Sequence, residues 1–215
     1  GLMAVYLYAL PQDDALLTAV GALGKGAPFK ECITHGWTVD GEGKAMHKSL
    51  GNGMDPAEII NEFGADMLRL WAGSADYHAD MRCSKEIFKQ LTQNYLKFRN
   101  TARYCLGNLD GFDPNHLVAP QDMLELDRWA VTKLNELTDL IASCARDRAP
   151  FRLTHFAEEL AGDFHSFYAA CQVLPSEGRP VDPELSRARL AACDAVRVTL
   201  ALVLTLVGVS APEQM

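Results

Sequence analysis

Residues 34–52 hold four glycines, two lysines and two histidines, placed between a strand-like run and a helix start. They include His35, Gly36, Asp40, Gly41, Gly43, Lys44, Ala45, Met46, His47, Lys48, Ser49, Gly51 and Asn52. A Gly-rich basic loop of this kind suits a polyphosphate. Backbone N–H groups and a lysine ammonium can meet the anion, and glycines let the loop open and close. The same composition also suits an ordinary hairpin with solvated lysines. Two further groups could meet nucleic acid: Arg146, Arg148 and Arg152 in one run, and Lys97, Arg99 and Arg103 in another. Arg187, Arg189 and Arg197 form a third basic group. His78, Asp80 and Cys83 lie close together, but their spacing fits no zinc pattern, so no metal site is expected. No nucleophile, base and acid trio is evident.

Long helices must position these residues. Asp55-Pro56-Ala57-Glu58 is a strong helix start, with a capping aspartate, a proline suited to the first turn and an acid three residues after the cap. Ile59, Ile60 and Phe63 give that helix an apolar side, and Gly64 is expected to end it with a left-handed residue. A short helix with Met67, Leu70 and Trp71 follows. Ser84 caps a long one whose apolar positions are Ile87, Leu91, Tyr95, Phe98, Ala102, Cys105 and Leu109. Turn residues over 108–115 break the pattern. A helix over about 123–145 uses Trp129, Leu134, Leu137 and Ile141. The next carries Leu153, Phe156, Leu160, Phe164, Phe167, Cys171 and Leu174, with His165 at the bundle surface. The last spans about 184–207.

The chain is therefore expected to be mainly α: a helical bundle from about 84 onward, preceded by a small α/β portion. Short strand-like runs at 5–8 and 31–34 flank a candidate helix at 16–23. The composition, 48% apolar and 22% charged over 215 residues, is that of a soluble globular protein. No run is long and apolar enough to span a bilayer, and the first ten residues lack the basic start of a signal peptide. Six scattered cysteines read as small buried thiols in a reducing, cytoplasmic compartment. A net charge of −8 argues against a protein that coats nucleic acid, though not against a local basic face.

Residues 34–52 resemble the region around the KMSKS signature of class I aminoacyl-tRNA synthetases, specifically the isoleucyl type with its valyl and leucyl relatives. Asp55-Pro56, Gly64-Ala65-Asp66-Met67-Leu68-Arg69-Leu70-Trp71 and Asp76-Tyr77 continue the resemblance. So do Arg99-Asn100-Thr101-Ala102-Arg103, residues 108–114 and Leu126-Asp127-Arg128-Trp129-Ala130. It runs from about residue 16 to 140. The resemblance implies that the loop closes over ATP, with His35, Gly36, Lys44, Met46, Lys48 and Ser49 beside the nucleotide. Lys48 takes the catalytic part by steadying charge on the phosphates. Ala45 and His47 stand where the family signature has lysine and serine, and Lys44 is one residue out of register. The family's HIGH signature and the first half of its nucleotide-binding fold are not found, so the chain alone is expected to lack turnover.

The tail resembles another branch. Residues 164–174, Ala188-Arg189-Leu190 and the ending Gly208-Val209-Ser210-Ala211-Pro212-Glu213-Gln214-Met215 are similar to the last helices of arginyl-tRNA synthetases. There the all-helical domain receives the anticodon arm. This implies tRNA of the isoleucine or arginine type as partner. Lys97, Arg99, Arg103, Arg146, Arg148 and Arg152 either meet it or form solvated helix faces, and Tyr168 is either a core residue or a base-stacking one. The expected organisation is a nucleotide-binding remnant over 1–52, connecting helices over 53–83 and an anticodon-binding bundle over 84–215. Two other readings stand beside it: a non-catalytic tRNA- or synthetase-binding protein, and an engineered chimeric scaffold.

Overall fold

The computed structural model describes residues 33–114 and 125–213. The chain falls into two units, 1–36 and 37–215. The candidate strand at 5–8, the candidate helix at 16–23, and Glu31 and Cys32 lie outside the described residues. So do Met123, Gln214, Met215 and the side chain of Trp129.

Within the second unit, strand β1 (Thr38–Val39) pairs in parallel with β2 (Met81–Arg82), Thr38 opposite Met81. Six α-helices follow among the described residues: α1 (Pro56–Phe63), α2 (Ala65–Ser74), α3 (Lys85–Asn108), α4 (Glu125–Asp147), α5 (Phe151–Ala170) and α6 (Pro183–Leu206). The expectation of a mainly helical chain holds. None of the described helices is long and apolar enough to cross a membrane.

The helix starts follow from their caps. Asp55 accepts from the Ala57 amide at 2.8 Å, with Pro56 in the first turn. Ser84 accepts from the Ile87 amide at 3.4 Å, and Asp182 from those of Glu184 and Leu185. Between α4 and α5 the Ala149 amide reaches back to the Cys144 carbonyl at 2.9 Å, while Arg148 adopts φ of +53°. This is a Schellman closure in which an arginine occupies the left-handed position usually given to glycine.

Helices α3 to α6 form the bundle. Asn94 donates to Glu158 at 2.8 Å, and Tyr104 stacks on Tyr168 with centroids 4.2 Å apart. Matching intervals on the two helices make α3 and α5 parallel. Leu70, Phe88, Phe98, Phe167, Val196, Leu200 and Val203 are fully buried, and the thiols of Cys83, Cys105, Cys144, Cys171 and Cys193 are buried and free.

Several sequence-based details need correction. Phe88, not Ile87, is the buried residue in the first turn of α3, because the helix is rotated to bring Phe88 against Phe63 and Trp71. Ile60 faces solvent. Leu174 lies beyond the end of α5 and is exposed, since the helix stops at Ala170. His165 is half-buried, its Nδ1 lying 3.0 Å from the Tyr168 hydroxyl.

The residues after α6 fasten the bundle to α2. The Ser210 amide donates to Asp66 at 3.2 Å, and Arg69 pairs with the same carboxylate at 2.8 Å. Gly73 approaches so closely that a β-carbon there would lie 3.4 Å from Val207, and its carbonyl accepts from Thr154 at 2.9 Å. Burial pushes the Asp66 carboxyl upward, but hydrogen bonds from Ser210 and Arg69 outweigh it and hold it below its ordinary value. A depressed folded value means that the stabilisation is present above the unfolded value of about 3.9 and lost as pH falls through the folded one. Asp66→Asn is therefore expected to lower stability by about 1 kcal/mol near pH 7. The gap from wild type should shrink as pH falls below about 4. Urea denaturation at a series of pH values measures this.

Candidate functional site

The loop that leaves β1 is a structured turn. Val39 bridges Ala45 in antiparallel fashion, and the Asp40 amide donates to the Lys44 carbonyl at 2.9 Å. The Asp40 carboxylate accepts from the amides of Glu42 (3.0 Å) and Lys44 (2.9 Å) with Oδ1, and from Asn52 Nδ2 (2.9 Å) with Oδ2. Those hydrogen bonds, Asn52 first, hold its carboxyl below the ordinary carboxylate value. Asn52 also donates to the Ala45 carbonyl at 3.1 Å and accepts from the His47 amide at 2.9 Å. Between these anchors Lys48–Leu50 form a single 3₁₀ turn closed by Gly51, whose φ of +63° suits glycine.

The turn projects Lys48 and Ser49 into solvent, and the Lys48 ammonium has no ion-pair partner among the described residues. Lys44 is bound to Glu42 at 2.7 Å, so Lys48 is the uncommitted cation. Met46 is half-buried against the core. His47, Lys48 and Ser49 are exposed together on this turn. A free ammonium on a tight turn fits a phosphate group. His35 and Gly36 belong to the first unit, where His35 Nδ1 lies 2.6 Å from the Gly36 carbonyl oxygen.

The candidate RNA contacts fall at opposite ends of α5. Arg146, Arg148 and Arg152 cluster at the α4–α5 corner, all exposed. Asp147 binds Arg152 at 2.7 Å and Arg146 at 3.4 Å, and Arg152 foremost holds its carboxyl below the ordinary value. The Tyr77 hydroxyl donates to the Arg148 carbonyl at 2.9 Å, seating the loop between α2 and β2 on this corner. Sixteen residues along the helix, about 24 Å away, Tyr168 is half-buried with one face on Tyr104. Lys97, Arg99 and Arg103 are exposed on α3, and Arg103 lies beside the tyrosine pair in sequence.

The third basic group does not form a free face. Arg189 is buried and donates to the Gln172 carbonyl at 2.7 Å, Arg197 grips Asp194 at 2.7 Å, and Arg187 binds Glu184. Among the described residues no group of three or more His, Cys, Asp or Glu side chains could hold a metal. Sequence reasoning singled out Asn52 as a motif residue but gave Asp40 no role. An acid and an amide twelve residues apart on either side of the turn are the signal that could have done so.

Comparison with known proteins bears on both halves. Residues 14–84 match the family model of class I tRNA synthetases (I, L, M and V), and residues 113–215 match that of the DALR anticodon binding domain. An isoleucine–tRNA ligase of Caldanaerobacter subterraneus is 59% identical over 126 residues, which are 58% of this chain and 13% of that protein. The chain thus spans a small part of the length of the curated relatives it matches. A leucyl-tRNA synthetase from Agrobacterium radiobacter K84, solved in a ternary complex with tRNA, superposes with a TM-score of 0.66 at 18% identity. That likeness covers 90% of this chain and 24% of the other. The arginyl-tRNA synthetase of Thermus thermophilus gives 0.60 at 17% identity, over 83% and 34%. At such identities these two report the fold.

Proposed function

The chain joins a class I aminoacyl-tRNA synthetase segment to a DALR anticodon-binding domain, and from that premise we propose that it binds transfer RNA through its helical bundle. The observation that carries this reading is the match of residues 113–215 to an anticodon-binding domain. It coincides with exposed arginines at one end of α5 and a tyrosine pair at the other. Arginines meet phosphates and aromatic faces meet unpaired bases. Lys97, Arg99 and Arg103 extend the contact along α3. The compartment is cytoplasmic, in keeping with five free thiols among the described residues.

The loop at 40–52 serves the triphosphate of ATP. Lys48 steadies charge on the phosphates, and Ser49 and neighbouring amides add hydrogen bonds. The relatives' reaction, ligation of an amino acid to tRNA, belongs in this reading to the longer proteins of the family. The isoleucine type is favoured by 59% identity to an isoleucine–tRNA ligase. Ala45 and His47, in place of the family's lysine and serine, favour a second reading in which the chain binds tRNA without using ATP.

Binding of the purified chain to isoleucine and arginine tRNAs across a salt series tests the proposal. Selective binding is expected, with log affinity falling by roughly 0.7–0.9 per log salt for each phosphate met. No binding to either tRNA at low salt overturns it. The preferred tRNA assigns the type.

A further inference from the structure

The loop bearing Lys48 holds a defined shape, and the means lie on either side of it. Asp40 has three donors on its carboxylate. Asn52 uses both ends of its amide, accepting from His47 and donating to Asp40 and Ala45. Together the two side chains tie both strands of the loop to one point. A carboxylate this near a phosphate-facing lysine would ordinarily oppose an anion. Here its charge is taken up by donors of the loop itself.

We propose that Asp40 and Asn52 form a latch that fixes residues 45–51 in the turn that presents Lys48 to a phosphate chain, making both of them positioning residues. The phosphate part of this statement rests on the reading given above; the latch does not. Gly51 permits the chain to return beneath the turn, and the Asn52 amide completes the closure.

Backbone relaxation by NMR and titration with inorganic tripolyphosphate test it on the full chain. In the wild type, order parameters over residues 45–51 are expected near about 0.8, and Asn52→Ala should lower them below about 0.6. Tripolyphosphate affinity should fall about tenfold in the same variant, while the bundle stays folded, with helical circular dichroism as in the wild type. Asp40→Ala, which removes the partner of the Asn52 amide from the other side, should lower the order and the affinity in the same way. Unchanged order parameters in Asn52→Ala overturn the latch, as do unchanged ones in Asp40→Ala. If the wild type binds no tripolyphosphate, the phosphate reading falls and the relaxation data alone decide the latch.

Discussion

Phe88→Ala is expected to cost about 3–5 kcal/mol of folding stability, the range for deleting a fully buried aromatic ring. Phe88 is 0% exposed, with the Phe63 ring 5.5 Å away and the Trp71 ring 5.9 Å away. It is where α1, α2 and the start of α3 meet. Trp71 also donates its indole N–H to the Arg82 carbonyl at 3.0 Å, so the cavity would open beside β2 as well. Urea denaturation followed by circular dichroism measures the loss. Phe88→Leu, which refills most of the volume, should recover the larger part of it. A loss below about 1 kcal/mol in Phe88→Ala would show that the first helices contribute little to the stability of the bundle.

The second large effect concerns RNA. Replacing Arg146, Arg148 and Arg152 together by alanine should weaken tRNA binding by about a hundredfold at moderate salt and reduce the salt slope by roughly two to three. The three share one exposed corner, and alanine tolerates the backbone there no worse than arginine, so Arg148 at φ of +53° adds no new strain. Lys89→Ala, an exposed change elsewhere on α3, should leave binding unaltered. Fluorescence anisotropy with labelled tRNA at several salt concentrations distinguishes the outcomes. A triple variant with the wild-type slope would remove this corner from the interface.

The helices were legible in the sequence wherever a capping side chain or a run of apolar residues spaced by threes and fours marked them. Asp55-Pro56 and Ser84 announced α1 and α3, and the buried set Leu153, Phe156, Leu160, Phe164 and Phe167 of α5 was readable residue by residue. Rotation about the axis was less readable. Ile87 and Phe88 are adjacent apolar residues, and only the aromatic neighbours on α1 and α2 decide which turns inward. The pairing of β1 with β2 joins segments more than forty residues apart through two residues each. So short a pairing leaves no alternation to read.

Charge was the harder part. A lone arginine looks the same in sequence whether it faces water or caps a carbonyl, and Arg189 turned out to fasten the Gln172 carbonyl inside the bundle. At the loop, the glycines and Lys48 stood out because their types suggest phosphate chemistry. The hydrogen bonds that shape the loop come from Asp40 and Asn52, whose partnership emerges only once the chain has turned.

The fastening of the post-α6 residues onto α2 bears on how such a protein can be inherited. The segment matching the class I synthetases ends at residue 84, so Asp66, Arg69 and Gly73 lie inside it. Their partners Thr154, Val207 and Ser210 belong to the DALR match. A gene exchange that replaced one segment would therefore carry half of a fitted joint. The newcomer would need a small residue opposite Val207, a hydroxyl reaching the Gly73 carbonyl and an amide meeting the Asp66 carboxylate. Recombination between the two matched segments is in this sense licensed or refused at a handful of positions.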